Sequence, residues 1–292
     1  MVIKGFAPDC RRAPWSPPPD SRPSVHAMAA PIADPSTVSR ATDAPEDAPA
    51  VSVVVPVRDE AENVVPLIEE IDAALRGQVA YEIVYVDDGS VDATPDRLRE
   101  AAATRPWVRI VRHRDACGQS TAIASGVEAA RAPVVATLDG DGQNDPADIP
   151  ALLSVHGEAA DSERVLVTGL RAKRRDSWVK RASSRIANGV RSRMLGDNTP
   201  DTGCGLKVFN RSAFLSMPRF DHMHCFLPAL MLRLGGRVVS VPVNHRPRER
   251  GDSKYGTLDR LFVGITDLFG VMWLKRRSRV PVIESDPEGN GR

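Results

Sequence analysis

Several signatures are missing from this chain, and each absence removes a class of protein. Its 292 residues include only four cysteines, Cys10, Cys117, Cys204 and Cys225. They form no C-x-x-C pair and no dense framework, which indicates a reduced, cytosolic chain and argues against zinc. Net charge is nearly absent, at +1 from 39 Lys/Arg and 38 Asp/Glu, so bulk nucleic-acid binding is not expected. No continuous apolar run stands near the start, which excludes a secretory signal. No G-x-G-x-x-G follows the first β-branched run, so a dinucleotide-binding Rossmann site is a poor match.

What is present is unevenly distributed. Ten of the 24 prolines fall in residues 1–50, with no apolar period, the composition of a disordered leader; Met28 offers an alternative start. Between Arg171 and Arg193 nine Lys/Arg face the single acid Asp176, and from Arg246 to Arg279 nine face four. Local basic clusters in a neutral chain suggest an anionic substrate or surface.

From residue 51 the pattern is regular. Val51-Ser52-Val53-Val54-Val55-Pro56 reads as a first strand, followed by a helix with Val64, Leu67, Ile68, Ile71 and Leu75 at helical spacing. Tyr81–Val86 is a second strand, a second helix opens at Thr94-Pro95, Val108–Val111 is a third strand, and a helix follows Gly118. Val134–Thr137 is a fourth strand, with further strands at Val165–Leu170 and Val238–Val243. This alternation predicts an α/β fold, a mostly parallel, Rossmann-like sheet with helices on both faces. Ligands of such sheets bind beyond the carboxyl ends of the strands. Pro56–Glu60, Asp87–Ser90 and Asp139–Gln143 lie at those ends, and Arg171 follows a strand in the same way.

Within that rim the stretch Leu138-Asp139-Gly140-Asp141-Gly142-Gln143 carries the clearest chemistry. Two carboxylates two residues apart in a bending segment can converge on one hard divalent cation, Mg²⁺ or Mn²⁺, with Gln143 adding a neutral oxygen. Acids that hold a cation, ringed by basic residues, describe a site for a metal-bound diphosphate.

The ordered motifs V-V-V-P-V-R-D-E, V-D-D-G-S, D-G-D-G-Q, D-T-G-C-G-L-K-V-F and R-x-x-G-x-S-K, spread over about residues 51 to 256, resemble the family 2 glycosyltransferases with a GT-A fold. The resemblance is strongest to dolichol-phosphate mannosyltransferase-like enzymes and bacterial polyprenyl-phosphate relatives. It implies transfer of a sugar, with inversion, from a nucleotide diphosphate to the phosphate of a membrane polyprenol. It further implies that Pro56, Arg58 and Glu60 line the nucleotide pocket, that Asp87 accepts from the base, and that Asp88 braces the following turn. By the same resemblance Asp139, Asp141 and Gln143 take the metal and diphosphate. Arg171, Arg181 and Ser183 (or Ser184) hold the acceptor phosphate, and Arg248 and Lys254 close over the donor. Asp201 anchors the D-T-G-C-G turn.

No general base is evident, as befits an acceptor already anionic near neutral pH. Relatives that glycosylate hydroxyls usually carry a carboxylate in the segment matching Asp221–Pro228, where Asp221 alone could serve. Bacterial relatives often have Arg where Cys225 stands. A transferase acting on a sugar or lipid hydroxyl therefore stays open, to be distinguished by sharp loss of activity in Asp221→Asn. A nucleotidyltransferase would form the nucleotide sugar, and a non-catalytic binder would hold it without turnover.

The expected GT-A catalytic domain spans residues 51–256. Residues 257–279 form an amphipathic helix and basic end, with Leu261, Phe262, Ile265, Leu268, Phe269 and Met272 as one stripe, and 280–292 a flexible tail. The segment 257–274 is about 27 Å long as a helix, marginal for a core of about 30 Å, and it contains Asp259, Arg260 and Asp267. It suits the membrane interface better than a span. The expectation is a peripheral protein at the cytosolic face of the membrane, docking by itself, through a membrane-protein partner or as a homo-oligomer.

Overall fold

In the computed structural model, residues 48–159, 162–171, 189, 191–247 and 257–278 are described, the last segment with side chains from 264 onward. A seven-stranded sheet organises them. Its strands are β1 Val51–Val57, β2 Tyr81–Asp88, β3 Val108–His113, β4 Val134–Thr137, β5 Val165–Arg171, β6 Lys207–Asn210 and β7 Arg237–Val243, in the order β3-β2-β1-β4-β6-β5-β7. Pairing is parallel except at β6, which runs antiparallel to both β4 and β5.

The β-branched runs fit this arrangement because a parallel sheet is covered on both faces and so reads as nearly continuous apolar sequence. Along β1 the side chains of Val51, Val53, Val55 and Val57 enter one core while Val54 enters the other. Along β2 Ile83 and Tyr85 take the first side and Val84 and Val86 the second. Helices α1 (Val64–Leu75), α2 (Thr94–Thr104) and α4 (Ile149–Gly157) supply the first core through Val64, Leu67, Ile68, Ile71, Leu75, Leu98, Ile149 and Leu152. Helices α3 (Gln119–Ala129), α5 (Arg211–Leu215) and α6 (Leu227–Arg233) supply the second. Each fully buried Val, Leu or Ile is worth about 1.5–3 kcal/mol, so these two layers hold the strand ends in place.

Helix α7, Thr257–Arg276, divides the stripe expected of it. Val271 is buried in the second core, with Leu268, Met272 and Leu274 packed beside it. Ile265, Phe269 and Trp273 are exposed. Lys275, expected among the basic residues of the end, turns inward and donates from Nζ to the Leu195 carbonyl, where burial lowers its pKa. Among the described residues no helix is long and apolar enough to cross a membrane.

Candidate active site

All the predicted rim segments meet at one end of the sheet, and hydrogen bonds stitch them together. Leaving β1, Asp59 adopts φ 53°; its N–H donates to Ser90 Oγ at 2.9 Å and its Oδ1 accepts from Val91 N at 2.8 Å. The Glu60 N–H donates to Thr94 Oγ1, also at 2.9 Å. The tips of β1 and β2 are therefore hydrogen-bonded to one another. Gly140 at the tip of β4 packs on the tip of β1: a Cβ there would strike Val57 and approach the Pro56 carbonyl at 2.9 Å.

Asp139 emerges from β4 partly buried. Its N–H donates to Asn144 Oδ1 at 2.9 Å, closing the loop on itself, and its Oδ1 accepts from Gln119 Nε2 at 2.7 Å. Gly205 lies so close that a Cβ would land inside the Asp139 carboxylate. Asp141 Oδ1 accepts from the Gln143 N–H at 3.1 Å, so this aspartate shapes the same turn. Burial, and then the charge of Asp141, push the Asp139 carboxyl up to about 6, against the pull of Lys207, Arg171 and the Gln119 amide. The Asp139 and Asp141 carboxylates, with a side-chain amide at Gln143, form an oxygen donor set suited to a hard divalent cation.

The loop is tied down from the far side as well. The Arg246 N–H donates to the Gln143 carbonyl at 2.9 Å, and its guanidinium donates to Asp145 Oδ1 and Glu70 Oε2, each at 2.7 Å. Asn244 donates through its backbone N–H to Asp148 Oδ2 at 2.7 Å. The segment after β7 thus grips the Asp-Gly-Asp turn. Arg171, at the end of β5, gives a two-pronged ion pair to Asp201, Nε to Oδ2 and Nη2 to Oδ1, both at 2.7 Å. That hydrogen bonding raises the arginine's pKa and holds its planar fork in one orientation. Lys207 is buried under Asp139 on β6 and donates to the Cys204 carbonyl.

Residues 52–216 match the model of the family described as Glycosyl transferase family 2. The chain belongs to that family. A dodecaprenyl-phosphate galacturonate synthase from Rhizobium johnstonii is 36% identical over 250 residues, covering 83% of this chain and 72% of that protein. An undecaprenyl-phosphate 4-deoxy-4-formamido-L-arabinose transferase from Edwardsiella ictaluri is 39% identical over 212 residues, 71% of this chain. The chain spans only 63% of that second relative's length. Among solved structures, a mannosyltransferase from Pyrobaculum calidifontis in complex with GDP-Man and Mn²⁺ superposes with TM-score 0.57 at 21% identity, over 80% of this chain and 66% of that one. A glucosyl-3-phosphoglycerate synthase from Mycobacterium tuberculosis in complex with Mn²⁺, UDP and phosphoglyceric acid gives TM-score 0.57 at 20% identity, over 80% of each chain. At such identities the superpositions establish the fold, a GT-A glycosyltransferase sheet.

In this family 2 chain the structure brings Pro56, Glu60, Asp87, Asp139, Asp141, Gln143 and Arg171 to one rim, with Arg58 half exposed beside them. Arg181, Ser183, Ser184, Arg248 and Lys254 lie outside the described residues. The two adjacent aspartates at the tip of β2 work differently from the expectation. Asp87, not Asp88, accepts the turn's Ser90 N–H, at 2.9 Å. Its other oxygen is buried without a hydrogen bond, 3.2 Å from Arg112 Nε in an ion pair lacking hydrogen-bond geometry. Asp88 reaches across to the loop before α3, accepting from the Cys117 and Gly118 N–H groups at 2.8 Å each. Asp201 serves as partner to Arg171 as well as part of its turn.

Five participants carry no role in the sequence reading: Gln119, Asn144, Lys207, Ser120 and Arg246. Lys207 had a signal, a lone cation in the apolar run Leu206–Phe209. Ser120 is buried and pairs with His224 Nδ1 at 2.7 Å, while His222 Nδ1 lies 3.1 Å from Asp267 Oδ2 on α7. The histidine segment therefore bridges α3 and α7, and His224 stands beside the residue that follows Gln119.

Proposed function

We propose that this chain is a metal-assisted, inverting glycosyltransferase that moves a sugar from a nucleotide diphosphate to a polyprenyl phosphate. The observation that carries the reading is the Asp139–Asp141 pair at the mouth of β4, where burial and the charge of Asp141 raise the Asp139 pKa, with the fork of Arg171 held nearby by Asp201. Relatives at 36–39% identity named for dodecaprenyl- and undecaprenyl-phosphate transfer support the acceptor.

Pro56, Arg58 and Glu60 would wall the nucleotide pocket, and the buried oxygen of Asp87 that lacks a hydrogen bond would take an N–H of the base. Asp139, Asp141 and Gln143 would hold Mg²⁺ or Mn²⁺. When bound, such an ion supplies Lewis-acid neutralisation of charge on the leaving nucleoside diphosphate. Arg171, with Arg181 and Ser183, would orient the acceptor phosphate by forked donation, and Arg248 and Lys254 would cover the donor. An oxygen of the acceptor phosphate attacks the anomeric carbon as the bond to the diphosphate breaks, the electron pair leaving with the diphosphate. Phosphate needs no deprotonation to do this. In keeping with that, the segment Asp221–Pro228 holds Asp221 as its single carboxylate, and its His224 is engaged with Ser120. The exposed stripe of α7 supports peripheral docking at the cytosolic membrane face, near the lipid acceptor.

The test is transfer from radiolabelled UDP- and GDP-sugars to short-chain polyprenyl phosphate with Mg²⁺ or Mn²⁺, beside free polyprenol and Asp141→Asn. Lipid-soluble, acid-labile product formed only with the phosphate, and lost in Asp141→Asn, is expected. Product from the free alcohol would overturn the acceptor assignment and turn attention to Asp221.

A further inference from the structure

We propose that Asp88, His113 and Cys117 form a site for one soft divalent cation, of the Zn²⁺ or Cd²⁺ class, distinct from the Asp139–Asp141 pair. It rests on none of the catalytic assignments above. The three residues come from the end of β2, the end of β3 and the loop before α3, and one ligand atom of each lies within 4.8 Å of the other two. Carboxylate oxygen, imidazole nitrogen and thiolate sulfur are the donors that zinc accepts, at about 2.0–2.3 Å each. Tetrahedral angles at those lengths set the donors roughly 3.3–3.6 Å apart.

Two features prepare these side chains for a metal. The first is orientation of the imidazole. His113 Nδ1 faces Asp88 Oδ1 at 2.7 Å while Nε2 is held by Ser125 Oγ at 2.9 Å, the arrangement in which a ligating histidine is fixed through its other nitrogen. The second is a carboxylate already immobilised. Asp88 is 5% exposed, and its oxygens accept from the Cys117 and Gly118 N–H groups at 2.8 Å. Those bonds pin the loop so that the Cys117 thiol, donating to the Asp115 carbonyl at 3.4 Å, is on the same side. A cation would enter between Nδ1 and Oδ1, moving them apart by about 0.6 Å, and draw in the sulfur. Solvent supplies a fourth ligand, since His113 and Cys117 are only partly buried.

Proton balance is simple. The thiol loses one proton to solvent. The bound imidazole keeps a single N–H proton, which passes by solvent exchange from Nδ1 to Nε2 and there is donated to Ser125, so the tautomer change itself releases none. The thiolate makes the site soft, so Mn²⁺ and Mg²⁺ prefer the all-oxygen donors at Asp139 and Asp141. Sequence spacing could not show this site, because the ligands are 25 and 4 residues apart and converge only through the β2–β3 pairing.

The experiment uses the full chain, titrated with Zn²⁺ alone at pH 8 by calorimetry in two buffers of different ionisation enthalpy, and with Co²⁺ followed by absorption. Expected are one equivalent bound, one proton released, and a thiolate-to-cobalt band. Cys117→Ser should abolish the band and weaken Zn²⁺ binding at least tenfold. Ser125→Ala should weaken binding about tenfold by releasing the imidazole. Asp141→Asn should leave it intact. Zinc affinity that falls in Asp141→Asn but not in Cys117→Ser, or cobalt binding without a thiolate band, overturns the proposal.

Discussion

Asp139 sits at the point where the chain's stability and its chemistry conflict. Its carboxyl titrates at about 6 in the fold, against an ordinary value of 3.8. The folded state therefore binds its proton more tightly than the unfolded chain does. By linkage this residue favours folding below about pH 4, and that contribution is lost as pH rises through 6. At pH 7.5 the metal-free protein carries an ionised Asp139 at a cost of up to about 3 kcal/mol. Asp139→Asn keeps an oxygen to accept the Gln119 amide and removes the charge. It should raise the melting temperature of the metal-free protein by a few degrees at pH 7.5, about 2–4 °C per kcal/mol, and by little at pH 5. The same variant should gain no stability from added Mn²⁺, where the parent gains. Thermal melts at the two pH values, with and without Mn²⁺, check both. A variant less stable than the parent at pH 7.5 would mean that Asp139 is already neutralised within the fold.

At the scale of elements, the Asp-Gly-Asp turn is held less by its own strand than by what packs around it. Arg246 alone joins Gln143, Asp145 and Glu70, and so ties the loop after β7 to both the turn and α1. Arg246→Ala removes two charge-assisted hydrogen bonds but leaves the backbone bond to Gln143. In steady-state assays we expect KM for the sugar donor to rise about tenfold, with kcat reduced less than threefold, since hydrogen bonds to charged groups contribute about 1.5–3 kcal/mol each and part of that is recovered by solvent. Equal losses in kcat and kcat/KM would instead mark Arg246 as acting in the transition state.

This lacing also explains what the sequence could and could not disclose. Strands β1 to β4, β5 and β7 were legible because burial on both faces forces apolar runs, and the acidic turn because Asp-Gly-Asp at a strand end is a chemical statement in itself. Strand β6 was not read as a strand: it is four residues long, begins with a lysine and reverses the direction of the sheet. Helix α4 went unassigned because nine residues give barely two turns of period. The partners that set the geometry, Gln119, Asn144 and Arg246, are ordinary polar residues whose significance exists only through contacts 5 to 176 positions away.

For the molecule as a whole, the question is how a domain with a polar rim would meet the lipid acceptor proposed for it. Helix α7 is already seated: Val271 is buried, Lys275 caps the Leu195 carbonyl, and Asp267 pairs with His222. Its opposite side offers Ile265, Phe269 and Trp273, exposed by 45%, 54% and 60%, one above another at four-residue intervals. Arg276 and Arg277 follow, also exposed. A seated helix with a second apolar side fits an interfacial element, in which each such residue gains about 1.5–3 kcal/mol on burial and each basic residue near anionic lipid about 1 kcal/mol. Replacing the three apolar residues together by Ser leaves the inner side untouched, so thermal stability should change by no more than about 0.5 kcal/mol per site. Co-sedimentation with vesicles rich in phosphatidylglycerol should fall at least tenfold, and transfer to long-chain polyprenyl phosphate in those vesicles should fall with it, while transfer to a short-chain, water-dispersed acceptor stays within twofold. If vesicle binding persists and the variant's sedimentation coefficient instead falls below the parent's, the stripe joins two copies of this chain, and lipid is met elsewhere on the rim.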